Sequence, residues 1–162
     1  MVRWLRCMLF GLLVGMLSVP YAAALCSYHG QDNAKTTVAQ EFADSDWVIH
    51  VKVIAADDHW SDEDGSWTLY HLQVMTAFKG KPPAPIEMLT YRDSGGFIWT
   101  RATFPDLGGE YLLFLDPIGH PDSVSAAARN ATEVNYSCGQ SKPWSSVNEK
   151  DRQRLIKLSP KR

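Results

Sequence analysis

The chain has 162 residues, of which 45% are hydrophobic and 21% are charged, and its formal net charge at pH 7 is −2. The length suits one domain of ordinary size and leaves no room for two, while the composition excludes collagen and disfavours coiled coils and disordered chains. The slightly negative charge argues against a nucleic acid as the partner.

The first 24 residues are typical of an export signal. Two arginines give the segment a positively charged start, residues 7–19 are uncharged and mostly apolar, and Pro20 follows them. Residues 22–24 are alanines, the small-residue pattern that signal peptidase accepts. We therefore expect cleavage after Ala24, a secreted or periplasmic protein, and a single mature domain over residues 25–162.

Two other interpretations of this segment stay open. The uncharged run continues to Tyr28, which is long enough for a membrane anchor, although Pro20 and the alanines favour a cleaved signal. Lipidation at Cys26 is the second, but a lipobox has Leu three residues before the cysteine and a small residue directly before it. This chain has Ala23 and Leu25 there. We expect no stable membrane insertion after cleavage.

Cleavage changes the charge and the cysteine count. The mature chain would carry 14 basic and 18 acidic residues, a net charge of −4, and would lose Cys7 while keeping Cys26 and Cys138. Two cysteines in an exported chain indicate one disulfide most simply. The alternative is a pair of metal-ligand thiols, which no Cys-x-x-Cys or His-x-x-His spacing supports. The pattern predicts a Cys26–Cys138 bridge, no metal and no cofactor.

Alternating apolar and β-branched residues predict five strands in the mature chain. In chain order we expect helical turns over 38–43, strands over 47–54, 67–78, 86–91, 110–115 and 131–138, and then a helix. Five strands and a helix favour a small closed barrel over a sandwich, which usually needs about seven strands. The predicted fold is all-β: a five-stranded closed Greek-key barrel, the OB-fold, with a C-terminal helix.

The C-terminal helix has a predicted start and a predicted core-facing stripe. Ser146 and Glu149 have the spacing of a capping box. Val147, Leu155 and Leu158 share one stripe, and we expect this stripe to pack against the barrel.

Few residues of the mature chain suggest chemistry. The densest charge cluster lies between the first two strands and contains Asp57, Asp58, Asp62, Glu63 and Asp64. It lacks the alternating acids of a calcium loop, so a solvated hairpin loop is the simplest interpretation. His50 and His71 lie on the first two strands and lack a third metal ligand. No nucleophile, base and orienting residue form a pattern, so we expect no enzyme and no catalytic residue.

Four segments carry the clearest motifs: residues 41–53 (EFADSDWVIHVKV), 78–80 (FKG), 108–113 (GGEYLL) and 138–144 (CGQSKPW). In this order they resemble the N-terminal domain of the tissue inhibitors of metalloproteinases (TIMPs), which is a secreted OB-fold. The resemblance runs from about Cys26 to Leu158 and implies a protein-binding module. It also implies the disulfide, because the family's cysteine before Pro-Trp, here Cys138, pairs with an N-terminal cysteine.

The resemblance places the function at an N-terminal edge formed by Leu25, Cys26, Ser27 and Tyr28. In TIMPs the free α-amino group and the carbonyl of the first cysteine of a Cys-x-Cys pair chelate the catalytic zinc of the protease. The family therefore implies a zinc metalloprotease as the partner and inhibition as the activity. The acidic connection that begins at Asp57 corresponds to one that can touch the protease, which implies a second, weaker contact.

This sequence departs from the TIMP motif at the chelating position, because it has one cysteine where the family has two. If Cys26 is the disulfide-forming second cysteine, Ala24 stands at the chelating position and Leu25 is the residue that enters the specificity pocket. If Cys26 is the chelator, Tyr28 replaces the second cysteine and cleavage must follow Leu25. The fold prediction therefore carries over better than the activity.

The sequence is compatible with three functions. The first is a secreted TIMP-like module that binds a protein and inhibits a zinc metalloprotease through its N-terminal edge. The second is an extracytoplasmic interaction or structural domain that keeps the fold and lacks zinc chelation. The third is an OB-fold that binds an oligonucleotide or a sugar. The net charge and the lack of a basic, aromatic-rich strand disfavour nucleic acid, and a sugar stays open.

Overall fold

The computed structural model of the protein describes residues 26–60, 66–91 and 106–160, and most of its regular structure is β-strand. Its strands are β1 Ser27–Tyr28, β2 Gln31–Asp32, β3 Trp47–His59, β4 Trp67–Lys79, β5 Ile86–Tyr91, β6 Glu110–Pro117, β7 Thr132–Val134 and β8 Lys142–Pro143. Its α-helices are α1 Val38–Asp44 and α2 Glu149–Leu158.

Five strands close into a barrel. β4 pairs with β3 and β5, and β6 pairs with β3 and β7, in each case antiparallel. A parallel contact between Met88 of β5 and Thr132 of β7 closes the ring, whose order is β3-β4-β5-β7-β6. The predicted fold class is confirmed: a closed, five-stranded mixed barrel with a C-terminal helix, consistent with an OB-like fold.

The barrel interior is filled by one face of β3, β4, β5 and β6, with the partly buried Val134 of β7 packed against it. The inward residues are buried almost completely and are Ile49, Val51, Val53, Tyr70, Leu72, Ile86, Met88, Tyr111, Leu113 and Leu115. On β3 they recur at every second position, which is the spacing that directs successive side chains to one face of a strand. The alternation in the sequence therefore corresponds to the inside of the barrel.

A second apolar core lies outside the barrel, where the two helices cover β3 and β6. It contains Val38, Phe42, Val48, Leu112, Phe114, Val147 and Leu155. β6 is thus apolar on both faces, which explains its nearly continuous apolar sequence. The predicted packing of Leu158 is wrong, because its side chain is 38% exposed while Leu155 is fully buried. Leu158 is the last residue of α2, so the stripe that is covered at Leu155 is left partly open at the helix end.

Three predicted boundaries are wrong. The residue that caps α2 is Asn148, whose side chain accepts a hydrogen bond from the Asp151 amide at 2.8 Å, rather than Ser146. β3 continues to His59, because it keeps pairing with β4 as far as Trp67. β7 ends at Val134, since the next residues turn away from the sheet.

Candidate partner-binding edge

The predicted N-terminal edge forms a tight hairpin, which we call the N-terminal hairpin (residues 26–33). β1 and β2 pair antiparallel, and the two residues between them, His29 and Gly30, have positive φ angles of 49° and 79°. Such a pair of angles is the geometry of a two-residue hairpin turn whose twist suits antiparallel strands. Of the predicted edge residues, Ser27 is exposed and Tyr28 is half-buried, and Leu25 lies outside the described residues.

The backbone of Cys26 is hydrogen-bonded within this hairpin. Its carbonyl oxygen accepts a bond from the Asn33 amide at 2.6 Å. Its amide nitrogen lies 3.4 Å from Asn33 Oδ1, to which it donates. The two backbone atoms that a zinc chelate at Cys26 would need are therefore both bound to one residue of the same hairpin.

The cysteine pair fastens the hairpin to the barrel. Cys26 and Cys138 lie at disulfide distance, as predicted, with their Cα atoms 6.0 Å apart and a separation of 112 positions in sequence. Cys26 is buried, and Cys138 follows β7 on the segment that leads to β8. The start of the described chain is thus held against a segment far along the sequence.

The carboxylate of Asp44, at the end of α1, holds the turn of the hairpin. The Tyr28 hydroxyl donates to this carboxylate, and His29 Nε2 lies 3.2 Å from the same oxygen. The Tyr28 ring also contacts the Tyr136 ring, with centroids 5.0 Å apart. Burial and the bond to Asp44 raise the pKa of Tyr28, and the bonds from Tyr28 and His29 lower the pKa of Asp44. Both shifts keep the phenol protonated and the carboxylate charged, so the contact persists at neutral pH.

A buried carboxylate below the hairpin is the main feature that the sequence reasoning missed as a site. Glu41 of α1 is fully buried, and both of its oxygens accept the Gln140 amide at 2.9 Å. The Thr36 hydroxyl donates to the same carboxylate, and Gln140 Nε2 donates to the Thr36 carbonyl at 2.8 Å. Burial raises the pKa of Glu41 in spite of these hydrogen bonds. Gly139 lies so close that an added Cβ would collide with the carboxylate.

These contacts make one unit, which we call the Glu41 clamp (Thr36, Glu41, Gly139 and Gln140). It ties the chain after the hairpin to the segment that carries Cys138, so hairpin and barrel are joined twice. A sequence signal existed for it: Glu41 follows Val38 by three positions, on the helix face that Val38 and Phe42 bury.

The acidic connection is only partly a loop. Asp57 and Asp58 belong to β3, where Asp57 accepts from His71 at 2.7 Å and Asp58 accepts from the Thr68 hydroxyl at 2.8 Å. Glu87 also contacts His71, at 3.2 Å. Asp62, Glu63 and Asp64 lie outside the described residues. The described part of the predicted acidic contact, Asp57 and Asp58, therefore pairs with side chains of β4 in the barrel wall.

The two strand histidines have separate partners. His50 Nε2 lies 2.9 Å from Glu110, and its ring stacks on Trp144 with centroids 4.0 Å apart. His71 pairs instead with acidic residues of β3 and β5. Within the described ranges, no group of three or more His, Cys, Asp or Glu residues is arranged to hold a metal ion.

Comparison with protein-family models gives no match, and comparison with curated proteins gives none either. In residues 26–60, 66–91 and 106–160, no helix has both the length and the apolar character that crossing a bilayer requires. The site is a small exposed hairpin that the cysteine pair and the Glu41 clamp hold on the barrel.

Proposed function

We propose that the protein is an extracytoplasmic protein-binding module with a TIMP-like OB-fold, and that it binds its partner through the N-terminal hairpin without chelating zinc. This is the second of the functions that the sequence suggests. The observation that carries it is the hydrogen bonding of Cys26, whose amide nitrogen and carbonyl oxygen both bind Asn33.

A chelate at Cys26 would have to form beside both of these bonds, because the nitrogen already donates to Asn33 and the carbonyl oxygen already accepts from it. Zinc in a protease binds an inhibitor through open coordination positions, so the amine lone pair and the carbonyl oxygen must both point away from the inhibitor. Here the N–H and the carbonyl oxygen of Cys26 both face Asn33, so a chelate would share these atoms with the bonds of the hairpin. The missing second cysteine agrees with this geometry, because a TIMP-like ridge needs a cysteine on each side of the pocket residue.

Binding of a protein through the hairpin is supported by its exposure and its rigidity. Ser27, His29, Gln31 and Asp32 are exposed, while Cys26 beneath them is buried. The cysteine pair, Asp44 and the Glu41 clamp hold the backbone in place, so a partner would order few groups on binding. Such preorganisation raises affinity because less conformational entropy is lost.

Site-specific photo-crosslinking in cells that export the protein tests this function. A benzophenone amino acid is placed at Ser27 or Gln31, whose side chains are exposed on the hairpin, and the adducts are identified by mass spectrometry. Matched control positions are Ser125 and Arg129, which are exposed on the connection between β6 and β7.

We expect one discrete protein adduct from both hairpin positions and none from the control positions. Equal adducts at all four positions, or none at either hairpin position, would contradict the proposal. An adduct with a zinc metalloprotease whose activity the protein abolishes would support the TIMP-like inhibitor instead.

A further inference from the structure

The positive charge of the mature chain is concentrated at its C-terminal end. Residues 149–162 contain six Lys or Arg and two acidic residues, whereas residues 25–148 contain eight basic and sixteen acidic residues. The end of the chain is therefore strongly cationic on a protein that is otherwise strongly anionic. An asymmetry of this kind is typical of chains that contact an anionic surface.

Both acidic residues of this end lie in the first turn of α2 and are engaged there. Asp151 lies 3.2 Å from the Lys142 ammonium, and Glu149 accepts a hydrogen bond from Gln153 at 2.7 Å. No acidic residue follows Asp151 in the sequence. The last two turns of the helix consequently present only positive charge.

Exposed aliphatic side chains accompany these charges. Ile156 is 59% exposed and Leu158 is 38% exposed, beside the exposed Arg154 and Lys157. Leu155 is fully buried in the outer core and fixes the rotation of the helix about its axis. The cationic and aliphatic residues are therefore held toward solvent by the fold itself.

A groove of about 530 Å³ adjoins the C-terminal end of α2. It is separate from another groove, of about 570 Å³, which lies beside β6. The groove at the helix end separates the end of β4 from Ser159 and Pro160, and the exposed Lys81 contributes to its lining. The neighbouring Lys79 is already used, because its ammonium donates to the carbonyls of Phe42 and Ala43 at 2.8 Å. Lys81 thus adds to the cationic surface of α2.

We propose that the last two turns of α2 together with Lys81, here called the C-terminal basic face, dock the protein on an anionic phospholipid bilayer. Lysine and arginine bind anionic headgroups, and exposed aliphatic residues at the same level enter the interfacial region. A polyanion such as DNA would use the charges but gain nothing from Ile156. The anionic remainder of the protein would be repelled, so docking orients the molecule. The proposal goes beyond the binding function of the hairpin and stands independently of it.

Vesicle co-sedimentation of the exported protein, whose N-terminus is checked by intact mass, tests this docking. Vesicles of equal parts phosphatidylglycerol and phosphatidylcholine are compared with pure phosphatidylcholine vesicles at 0.1 M NaCl. We expect binding to the anionic vesicles only, and loss of this binding at 0.5 M NaCl because salt screens the attraction. The Arg154→Gln/Lys157→Gln variant should bind about 30-fold more weakly, since each basic residue near an anionic bilayer contributes about fivefold.

Two matched controls separate docking from net charge and from general apolarity. Lys35→Gln/Arg129→Gln removes two exposed charges elsewhere and should bind like the unchanged protein. Ile156→Ser should weaken binding at least about fivefold, whereas Ile54→Ser, at a 56% exposed isoleucine of β3, should not. All of the substituted side chains are exposed, so the variants should fold like the unchanged protein. Equal melting temperatures of the variants and the unchanged protein confirm this.

The proposal is overturned if the protein fails to sediment with anionic vesicles, or if it binds both vesicle types equally. It is also overturned if both double variants lose binding equally, which indicates a response to net charge alone. Displacement from the vesicles by single-stranded DNA, combined with unchanged binding of Ile156→Ser, would assign the face to polyanions instead of lipid. A failure of hairpin crosslinking leaves all of these results unaffected, so the two proposals fail separately.

Discussion

Replacing both cysteines by alanine, Cys26→Ala/Cys138→Ala, tests how the hairpin is held. The two residues are 112 positions apart, so the bridge closes most of residues 26–160 into one loop. In the chain-entropy model a loop of this length restricts the unfolded state by about 4.8 kcal/mol at 25 °C. Removing a native disulfide from a small domain typically costs about 2–5 kcal/mol, and we expect the free energy of unfolding to fall by about 2–5 kcal/mol.

Urea unfolding followed by tryptophan fluorescence measures this loss. The oxidised protein is compared with the double variant, and wild-type protein reduced with dithiothreitol serves as a second reference without any substitution. Both bridge-free forms should unfold at a lower urea concentration and with a steeper dependence on urea, because an unbridged unfolded chain exposes more surface. Unfolding free energies that agree within about 0.5 kcal/mol would refute the reasoning that the bridge stabilises this fold.

Three further predictions concern the Glu41 clamp and the outer core. Burial raises the pKa of Glu41 in the folded state, so the folded protein keeps a proton there that the unfolded chain releases. The contribution of Glu41 to stability should therefore fall as pH rises from its ordinary pKa. In urea titrations from pH 4.5 to pH 7.5, the unfolding free energy of wild type minus that of Glu41→Gln should decrease toward neutral pH. A constant difference would contradict this. Gly139→Ala should lower the free energy of unfolding by about 1–3 kcal/mol, because the added Cβ meets the Glu41 carboxylate. The matched control is Gly119→Ala, whose Cβ would meet one atom at 3.6 Å. It should change the free energy of unfolding by less than about 0.5 kcal/mol. Leu155→Ala should lose about 2–5 kcal/mol in the same assay, against less than about 0.5 kcal/mol for its exposed neighbour in Ile156→Ala, and similar losses for both would contradict the assigned rotation of α2.

The barrel was predictable because its strands follow local rules. β3 and β4 alternate apolar residues that face one interior, and that period is visible in the sequence. The strand β5 was predicted with its observed bounds, Ile86–Tyr91, since the turn-forming residues before it mark its start. These signals depend on neighbours in sequence, which a single chain reveals.

The errors arose where contacts distant in sequence decide the structure. β3 continues past its apolar part because His59 stacks on Trp67, with ring centroids 4.7 Å apart, and because Thr68 binds Asp58. Those contacts exist only after β3 and β4 have paired. The sequence alone therefore predicted a loop for this run of acidic residues. β7 is short for a comparable reason: after Val134 the chain turns to bring Cys138 to the hairpin.

The site was predictable in part. The cysteine pair followed from the cysteine count, but the hydrogen bonds of Asn33 to Cys26 depend on the turn at His29 and Gly30, which the polar segment did not reveal. Glu41 is the first residue of the motif segment 41–53, but nothing in the sequence indicated its role. A carboxylate that accepts bonds from a segment 99 residues away has no local sequence signal beyond its place on a buried helix face.

The central claim is that the N-terminal hairpin binds without chelating zinc, and an inhibition titration tests it most directly. The exported protein, with its N-terminus defined by intact mass and sequencing, is titrated against the catalytic domain of a zinc metalloprotease of the class that TIMPs inhibit. We predict full protease activity at micromolar protein whether the chain begins at Leu25 or at Cys26, because both backbone atoms of Cys26 are held toward Asn33 and the second cysteine of a chelating ridge is missing. Stoichiometric inhibition by a chain that begins at Cys26, lost when its α-amino group is acetylated, would contradict the claim.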